Sequence, residues 1–317
     1  MSCYTFATRL INQAKKLPNK TTVGIIHPCS DYALSGAIAI KQENLAIPIL
    51  IGPINKIKSI ALQNTLDISG IDIIDVPHSH AAVDKAIELV NGGKINLLMK
   101  GSLHTDELMH PILDSKTGLK TDIRVTHCCV MDIPSFNRPL LVADIAINVA
   151  PDLECKIAIT QNAINLALAI GLKNIKVAIL SADEQVHFKI QSSLDAASLS
   201  KMAERGQIKN AIIDGPLSFD AAISEDAKTI KNIKSKIAGF ADILIAPEVE
   251  TGNAIVKQFK YFANSIMPGI VIGAKVPIIL TSRADDSFTR LTSCALGILY
   301  ANWYRGYVKD KNEYSHN

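Results

Sequence analysis

The chain has 317 residues, of which 48% are hydrophobic, 20% charged and only 5% aromatic. That length predicts two domains rather than one core, and a formal net charge of +3 with no basic tail argues against nucleic acid as a main partner. No apolar run reaches 18 residues, and the start MSCYTFATRLINQAKKL interrupts its apolar pattern with polar residues, so the expectation is a soluble, cytoplasmic protein without a signal peptide.

Short apolar runs alternate with amphipathic segments almost throughout. They predict strands at 23–27, 47–51, 71–76, 95–99, 125–131, 140–144, 177–180, 211–214, 243–246, 270–272 and 277–281. Helices are predicted between them, at 31–44, 80–91, 152–170, 194–205, 252–264 and 288–300. Few aromatic residues and many Ile, Ala, Leu and Val fit parallel strands buried under helices, an α/β fold. The rhythm breaks at 117–148, where two extended runs joined by Pro134-Ser135-Phe136-Asn137-Arg138-Pro139 read as a hairpin-like excursion. A domain crossover is placed there: residues 1–122 with 272–317 form a discontinuous first domain, and 123–271 the second. Six cysteines, at 3, 29, 128, 129, 155 and 294, include no CxxC and read as buried thiols of a reducing compartment.

Ligands of open α/β sheets bind beyond the carboxyl ends of strands, so the residues just after each run carry the functional signal. After 95–99 come Lys100-Gly101-Ser102-Leu103-His104-Thr105-Asp106. Lys100, Gly101 and the hydroxyls suit phosphate, and Thr105 or Asp106 is expected to cap the next helix. Asp152 is expected to cap a helix too. Asp214-Gly215-Pro216 reads as a tight turn, and Gly252-Asn253 as the opening of a helix with an anion-friendly end. The most informative stretch is Thr281-Ser282-Arg283-Ala284-Asp285-Asp286, between a strand and a helix. It combines a hydroxyl, a guanidinium and two carboxylates with unpaired backbone N–H groups and a helix dipole, a setting for an anion. The common fingerprints are missing: no GxGxxG follows the first strand, and neither a P-loop nor a GxSxG elbow occurs. His78-Ser79-His80 is short of ligands for a metal, and Cys128 and Cys129 beside His127 read as core.

These segments in this order resemble the phosphate acetyltransferase/phosphate butyryltransferase family. The stretches that carry the resemblance are KGSLHTDELMH (100–110), INVAPDLECKIAITQNAINLA (147–167), LDAASLSKMAERGQIKNAIIDGPLSFDAAIS (194–224), ADILIAPEVETGN (241–253) and VIGAKVPIILTSRADDSFTRLTSCALG (271–297). KGSLHTDELM is most similar to the acyltransferase part of chains that also carry an enoyl-CoA hydratase; with the first strand near residue 22, only the transferase part is expected here. The resemblance implies two three-layer α/β domains of the isocitrate/isopropylmalate-dehydrogenase type with a cleft between them. It implies the reaction acyl-CoA + phosphate ⇌ acyl phosphate + CoA, a ternary complex, no metal or other cofactor, coenzyme A as a substrate, and a homodimer.

It also implies roles. Ser282 matches the family serine that stabilises the oxyanion, and Arg283 the arginine that neutralises phosphate. Lys100, Gly101, Ser102, His104 and Thr105 would form a facing wall, with Asp214, Gly252 and Asn253 contributing from the second domain. Two positions depart from the family. The aspartate that acetyl-type members place seven residues after the serine is Thr289 here, which makes Asp285 the substitute base and Asp286 the second candidate. The arginine that precedes the helical proline is His110 here, before Pro111, and Arg124, Arg138 and Lys100 are candidates for the missing charge. The alternatives are a CoA- or acyl-phosphate-binding protein that has lost its base, and a metal- and NAD-dependent dehydrogenase on the related scaffold, for which His27, His78, His104 and His127 would have to converge.

Overall fold

A computed structural model describes residues 4–18, 20–282 and 285–314. In chain order the strands are β1 (Thr22–Ile26), β2 (Ile47–Gly52), β3 (Asp72–Asp75), β4 (Leu97–Lys100), β5 (Thr126–Met131), β6 (Leu140–Ala143), β7 (Lys176–Leu180), β8 (Ile212–Leu217), β9 (Ile243–Ile245), β10 (Gly269–Ile272) and β11 (Ile278–Ile279). The helices are α1 (Thr5–Lys15), α2 (Asp31–Gln42), α3 (Ile54–Gln63), α4 (Ser79–Asn91), α5 (Thr105–Ile112), α6 (Leu153–Ala169), α7 (Gln191–Glu204), α8 (Phe219–Ile223), α9 (Glu225–Ile230), α10 (Val249–Phe262) and α11 (Ser287–Tyr314).

The chain divides into two compact units. The first comprises Ala7–Val125 and the chain from Pro268 onward; the second comprises Thr126–Met267 with residues 4–6. The exchanges at 125/126 and 267/268 compare with 122/123 and 271/272 read from the sequence.

In the first unit the strand order is β3-β2-β1-β4-β11-β10. All neighbours are parallel except β10 and β11. Ile26 pairs with Lys100 and Ile279 with Met99, so β1, β4 and β11 end side by side. Their residues Val23, Ile25, Ile26, Leu97, Leu98, Met99, Ile278 and Ile279 are fully buried, as expected of strands covered on both faces.

In the second unit the order is β5-β6-β9-β7-β8. Here β5 and β6 form the expected antiparallel hairpin, Cys128 opposite Ala143 and Met131 opposite Leu140, and the remaining pairs are parallel. The core of this unit gathers Cys129, Met131, Val142, Ala178, Leu180, Leu217, Leu244 and Val256.

Several local expectations are corrected. Asp214-Gly215-Pro216 is not a turn but the interior of β8. Proline lacks an N–H for a ladder, but β8 is the edge strand, where that loss is tolerated. Helix α10 starts three residues before Gly252, and its cap is Glu248, whose carboxylate accepts from Thr251 N–H at 3.0 Å. A carboxylate thus occupies the helix end that had been read as anion-friendly. Neither Thr105 nor Asp106 caps α5; His104 holds that position without a side-chain cap bond. Asp152 does cap α6, accepting from Cys155 N–H at 2.8 Å. His78 caps α4 through Nδ1, which accepts from Ala81 N–H at 3.2 Å. Among the described residues no disulfide occurs, and Cys29, Cys128, Cys129, Cys155 and Cys294 are buried. No helix of the described residues is long and apolar enough to cross a membrane.

Candidate active site

In the first unit the site is built on the carboxyl ends of β1, β4 and β11. The loop after β4 lies directly on the end of β1: Gly101 N–H donates to Ile26 C=O and Ser102 N–H to His27 C=O, both at 2.9 Å. His27 Nδ1 lies 2.8 Å from Ser102 C=O and fastens the contact from the other side. Only glycine fits at 101, because a Cβ there would lie 2.4 Å from Ile26 O and 2.6 Å from His27 O. Lys100 is buried, and its Nζ donates to Leu103 C=O at 3.0 Å, so the ammonium braces its own loop. Thr281 Oγ1 donates to Lys100 C=O at 3.4 Å, which joins this loop to the turn after β11.

That turn has a defined internal geometry. Ser282 is exposed. Its N–H donates to Asp285 Oδ2 at 2.7 Å, and its C=O accepts from Asp285 N–H at 3.2 Å. Asp286 caps α11, with Oδ1 accepting from Thr289 N–H at 2.8 Å. The two adjacent carboxylates are therefore divided in labour: Asp285 holds the serine and Asp286 holds the helix. Thr289 is buried. Arg283 lies outside the described residues. A residue that sequence reasoning missed completes the turn. Arg290, 1% exposed, donates from Nη2 to Ser282 C=O at 2.7 Å, from Nη1 to Thr281 Oγ1 at 2.5 Å and from Nε to Asp285 C=O at 3.3 Å.

The structure thus brings Lys100, Gly101 and Ser102 together with Ser282 and Asp285. His104 and Thr105 follow directly at the start of α5. His110, in the last turn of α5, is exposed, as is Arg124 just before β5. Arg138 is used elsewhere: at the turn of the β5–β6 hairpin it donates to Gly239 C=O at 3.2 Å and lies 5.0 Å over the Phe136 ring.

The second unit has its own polar cluster where β6 ends and β5 begins. The carboxylate of Asp144 accepts from Ala146 N–H at 2.9 Å, Ile147 N–H at 3.0 Å, Asn148 Nδ2 at 2.7 Å and His127 N–H at 3.1 Å. Gly252 packs on this loop, since a Cβ there would lie 2.4 Å from Asp144 O, and Asn253 Nδ2 donates to Ile145 C=O at 3.3 Å. Asp214 does not join them. Three strand steps separate β8 from β6, about 14 Å at ordinary spacing. His127, one of the histidines a metal-dependent alternative would need, is buried, and neither ring nitrogen has a hydrogen-bond partner among the described residues. Burial holds its pKa below the usual imidazole value, against a smaller opposing pull from the Asp144 charge. Burial likewise raises the Cys128 and Cys29 thiols, which stay protonated. No three His, Cys, Asp or Glu side chains converge as a metal set among the described residues.

The family model of the phosphate acetyl/butaryl transferases matches residues 78–298, which include Lys100, Gly101, Ser102, Ser282, Asp285 and the Asp144 cluster. The chain belongs to this family. Among relatives of the transferase, a phosphate acetyltransferase of Rhizobium meliloti is 50% identical over 293 residues, covering 92% of each chain. A phosphate butyryltransferase of Clostridium acetobutylicum is 41% identical over 261 residues, covering 82% of this chain and 87% of the relative. Among solved structures, a branched-chain phosphotransacylase from Enterococcus faecalis V583 superposes with a TM-score of 0.77 at 29% identity, covering 89% of this chain and 99% of the other. These matches make the transferase an acyltransferase of α/β fold.

Proposed function

We propose that this enzyme interconverts acyl-CoA plus phosphate with acyl phosphate plus CoA by direct thiolate attack within a ternary complex, with a short acyl group from acetyl to butyryl. The observation that carries the proposal is the turn after β11: an exposed serine whose backbone is fixed on both sides, next to the Lys100-Gly101-Ser102 loop. A CoA thiol has a pKa of roughly 8.5 and needs a base near neutrality. Asp285, bound to the same turn, is the proposed base. The CoA sulfur attacks the acyl carbonyl carbon, a C–S bond forms, the C–O bond to phosphate breaks, and phosphate leaves with its electron pair. The hydroxyl of Ser282 donates to the oxyanion that develops between these events, and Arg283 neutralises the phosphate. No metal or other cofactor enters the scheme. Family membership also supports a cytoplasmic homodimer.

The reaction is tested by release of CoA thiol from acyl-CoA in the presence of phosphate, with Ser282→Ala lowering kcat by about 100- to 1,000-fold, the cost of one oxyanion donor. An Arg283→Ala variant that lost less than about tenfold would contradict the phosphate role, since a charge-assisted bond is worth about 1.5–3 kcal/mol. Thr289 supports a second reading. A hydroxyl stands where acetyl-type members carry their base, and it is buried. Binding of CoA without turnover of any short acyl-CoA would favour that reading, a binding protein.

A further inference from the structure

Arg290 lies near the start of α11, at a position whose sequence neighbours, Thr289 and Leu291, give no reason to expect a buried cation. It is nonetheless among the most deeply buried side chains of the protein. The three bonds of its fork all end on the turn between β11 and α11: the carbonyls of Ser282 and Asp285 and the hydroxyl of Thr281. A guanidinium suits this task because its planar donors diverge in fixed directions.

Helix α2 is shaped to receive it. The guanidinium carbon lies 4.8 Å from the centroid of the Tyr32 ring, a cation–π contact. One turn further, Gly36 leaves room for the stem, since a Cβ at that position would lie 2.9 Å from Arg290 Cδ and 3.5 Å from its Cβ. Glycine inside a helix costs about 1 kcal/mol relative to alanine. The seat therefore carries a cost that the packing of Arg290 offsets. Burial depresses the guanidinium pKa, and the Asp285 charge opposes that shift; an arginine remains charged.

We infer that Arg290 is a positioning residue for acyl transfer: it clamps the backbone on both sides of position 283 so that Ser282 meets the developing oxyanion in one orientation. The inference rests on the proposed function, in which Ser282 is the oxyanion donor. An interaction that matters only in the transition state alters kcat and leaves KM alone. A misplacement of about 1 Å costs on the order of 100-fold.

The test compares Arg290→Met, which keeps the stem and deletes the fork, with Arg290→Lys, which keeps a charge on a single nitrogen without the planar fork. Purified full-length variants are assayed for CoA release at a temperature where circular dichroism shows them folded. Arg290→Met should lower kcat about 100-fold with KM within about threefold, and Arg290→Lys should recover part of the loss. Folded variants with kcat within threefold of the unsubstituted protein, or losses confined to KM, would overturn the inference. Should Arg290→Met fail to fold, Gly36→Ala decides: it crowds Cδ without deleting the fork, so kcat must fall severalfold, and an unchanged kcat in the folded variant overturns the clamp. Absence of turnover in the unsubstituted protein would instead sink the proposed function, so the two failures are distinguishable.

Discussion

Gly101→Ala tests whether the loop after β4 must lie against the end of β1. The added Cβ would meet three backbone atoms, Ile26 O at 2.4 Å, His27 O at 2.6 Å and His27 C at 2.9 Å. Backbone cannot rotate away as a side-chain end can. Ordinary contact begins near 3.4 Å, so the loop must withdraw by about 1 Å. That movement strains the Gly101 N–H···O=C Ile26 and Ser102 N–H···O=C His27 bonds, each worth about 1 kcal/mol net. With overpacking of about 1–3 kcal/mol, a total of up to about 3–5 kcal/mol is expected. The same 1 Å shift moves Lys100 and Ser102 relative to Ser282, for which the expected loss in kcat/KM is about 100-fold. Denaturant unfolding and the CoA-release assay measure the two effects on one preparation. A Gly101→Ala protein with unchanged stability and turnover within twofold would refute the idea that this close approach builds the site.

Three further outcomes follow from other contacts. Asp285→Asn should lower kcat more than tenfold at pH 7, since a bond to a charged acceptor is worth about 1.5–3 kcal/mol; with acyl phosphate and CoA as the substrates, loss of the base should leave a residual rate that climbs with pH up to the thiol pKa of roughly 8.5, and a residual rate flat with pH in that direction would rule the role out. Lys156 and Asp195 form a buried pair at 2.6 Å between α6 and α7, so Lys156→Met should cost about 3–5 kcal/mol in urea unfolding by stranding the carboxylate, and a cost below 1 kcal/mol would show that the carboxylate is relieved otherwise. Burial holds the His127 pKa of the folded protein below the ordinary value of about 6.5 that it has when unfolded. Its contribution is therefore fully present above that value and is lost as pH falls below it, by up to about 1.4 kcal/mol per unit. Urea unfolding of the unsubstituted protein and of His127→Leu should diverge as pH is lowered from about 7 to about 5, with the unsubstituted protein losing more stability, and parallel profiles would contradict it.

The strands were legible in the sequence because strands buried on both faces are continuous apolar runs, as at Val23–Ile26 and Leu97–Met99. The turn at 281–286 was legible for the same reason, since its polar residues interrupt an apolar run just before a helix. Asp214-Gly215-Pro216 misled because glycine and proline carry turn chemistry, and only the strand order shows that this segment is an edge. The two residues of most interest here left no local signal. Arg290 looks like a solvated helical arginine, and what buries it is Gly36 and Tyr32, more than 250 residues earlier in the chain. His127 sits in an apolar strand run, and what sets it apart is that its ring nitrogens have no hydrogen-bond partner among the described residues. The division of labour between Asp285 and Asp286 was likewise out of reach, because adjacent carboxylates at a helix start are equivalent in sequence and differ only in which N–H each meets.

Acyl-chain preference follows from pocket depth, and each methylene buried is worth about 0.8 kcal/mol, about a fourfold step in kcat/KM. The measurement closest to the central claim is simpler. The purified protein is mixed with acetyl-CoA or butyryl-CoA and phosphate, and CoA thiol and acyl phosphate are quantified together. Equal amounts of both products, dependent on phosphate and abolished to within about 1% in Ser282→Ala, are the predicted result. Thiol release without acyl phosphate, or full turnover by Ser282→Ala, would contradict the account.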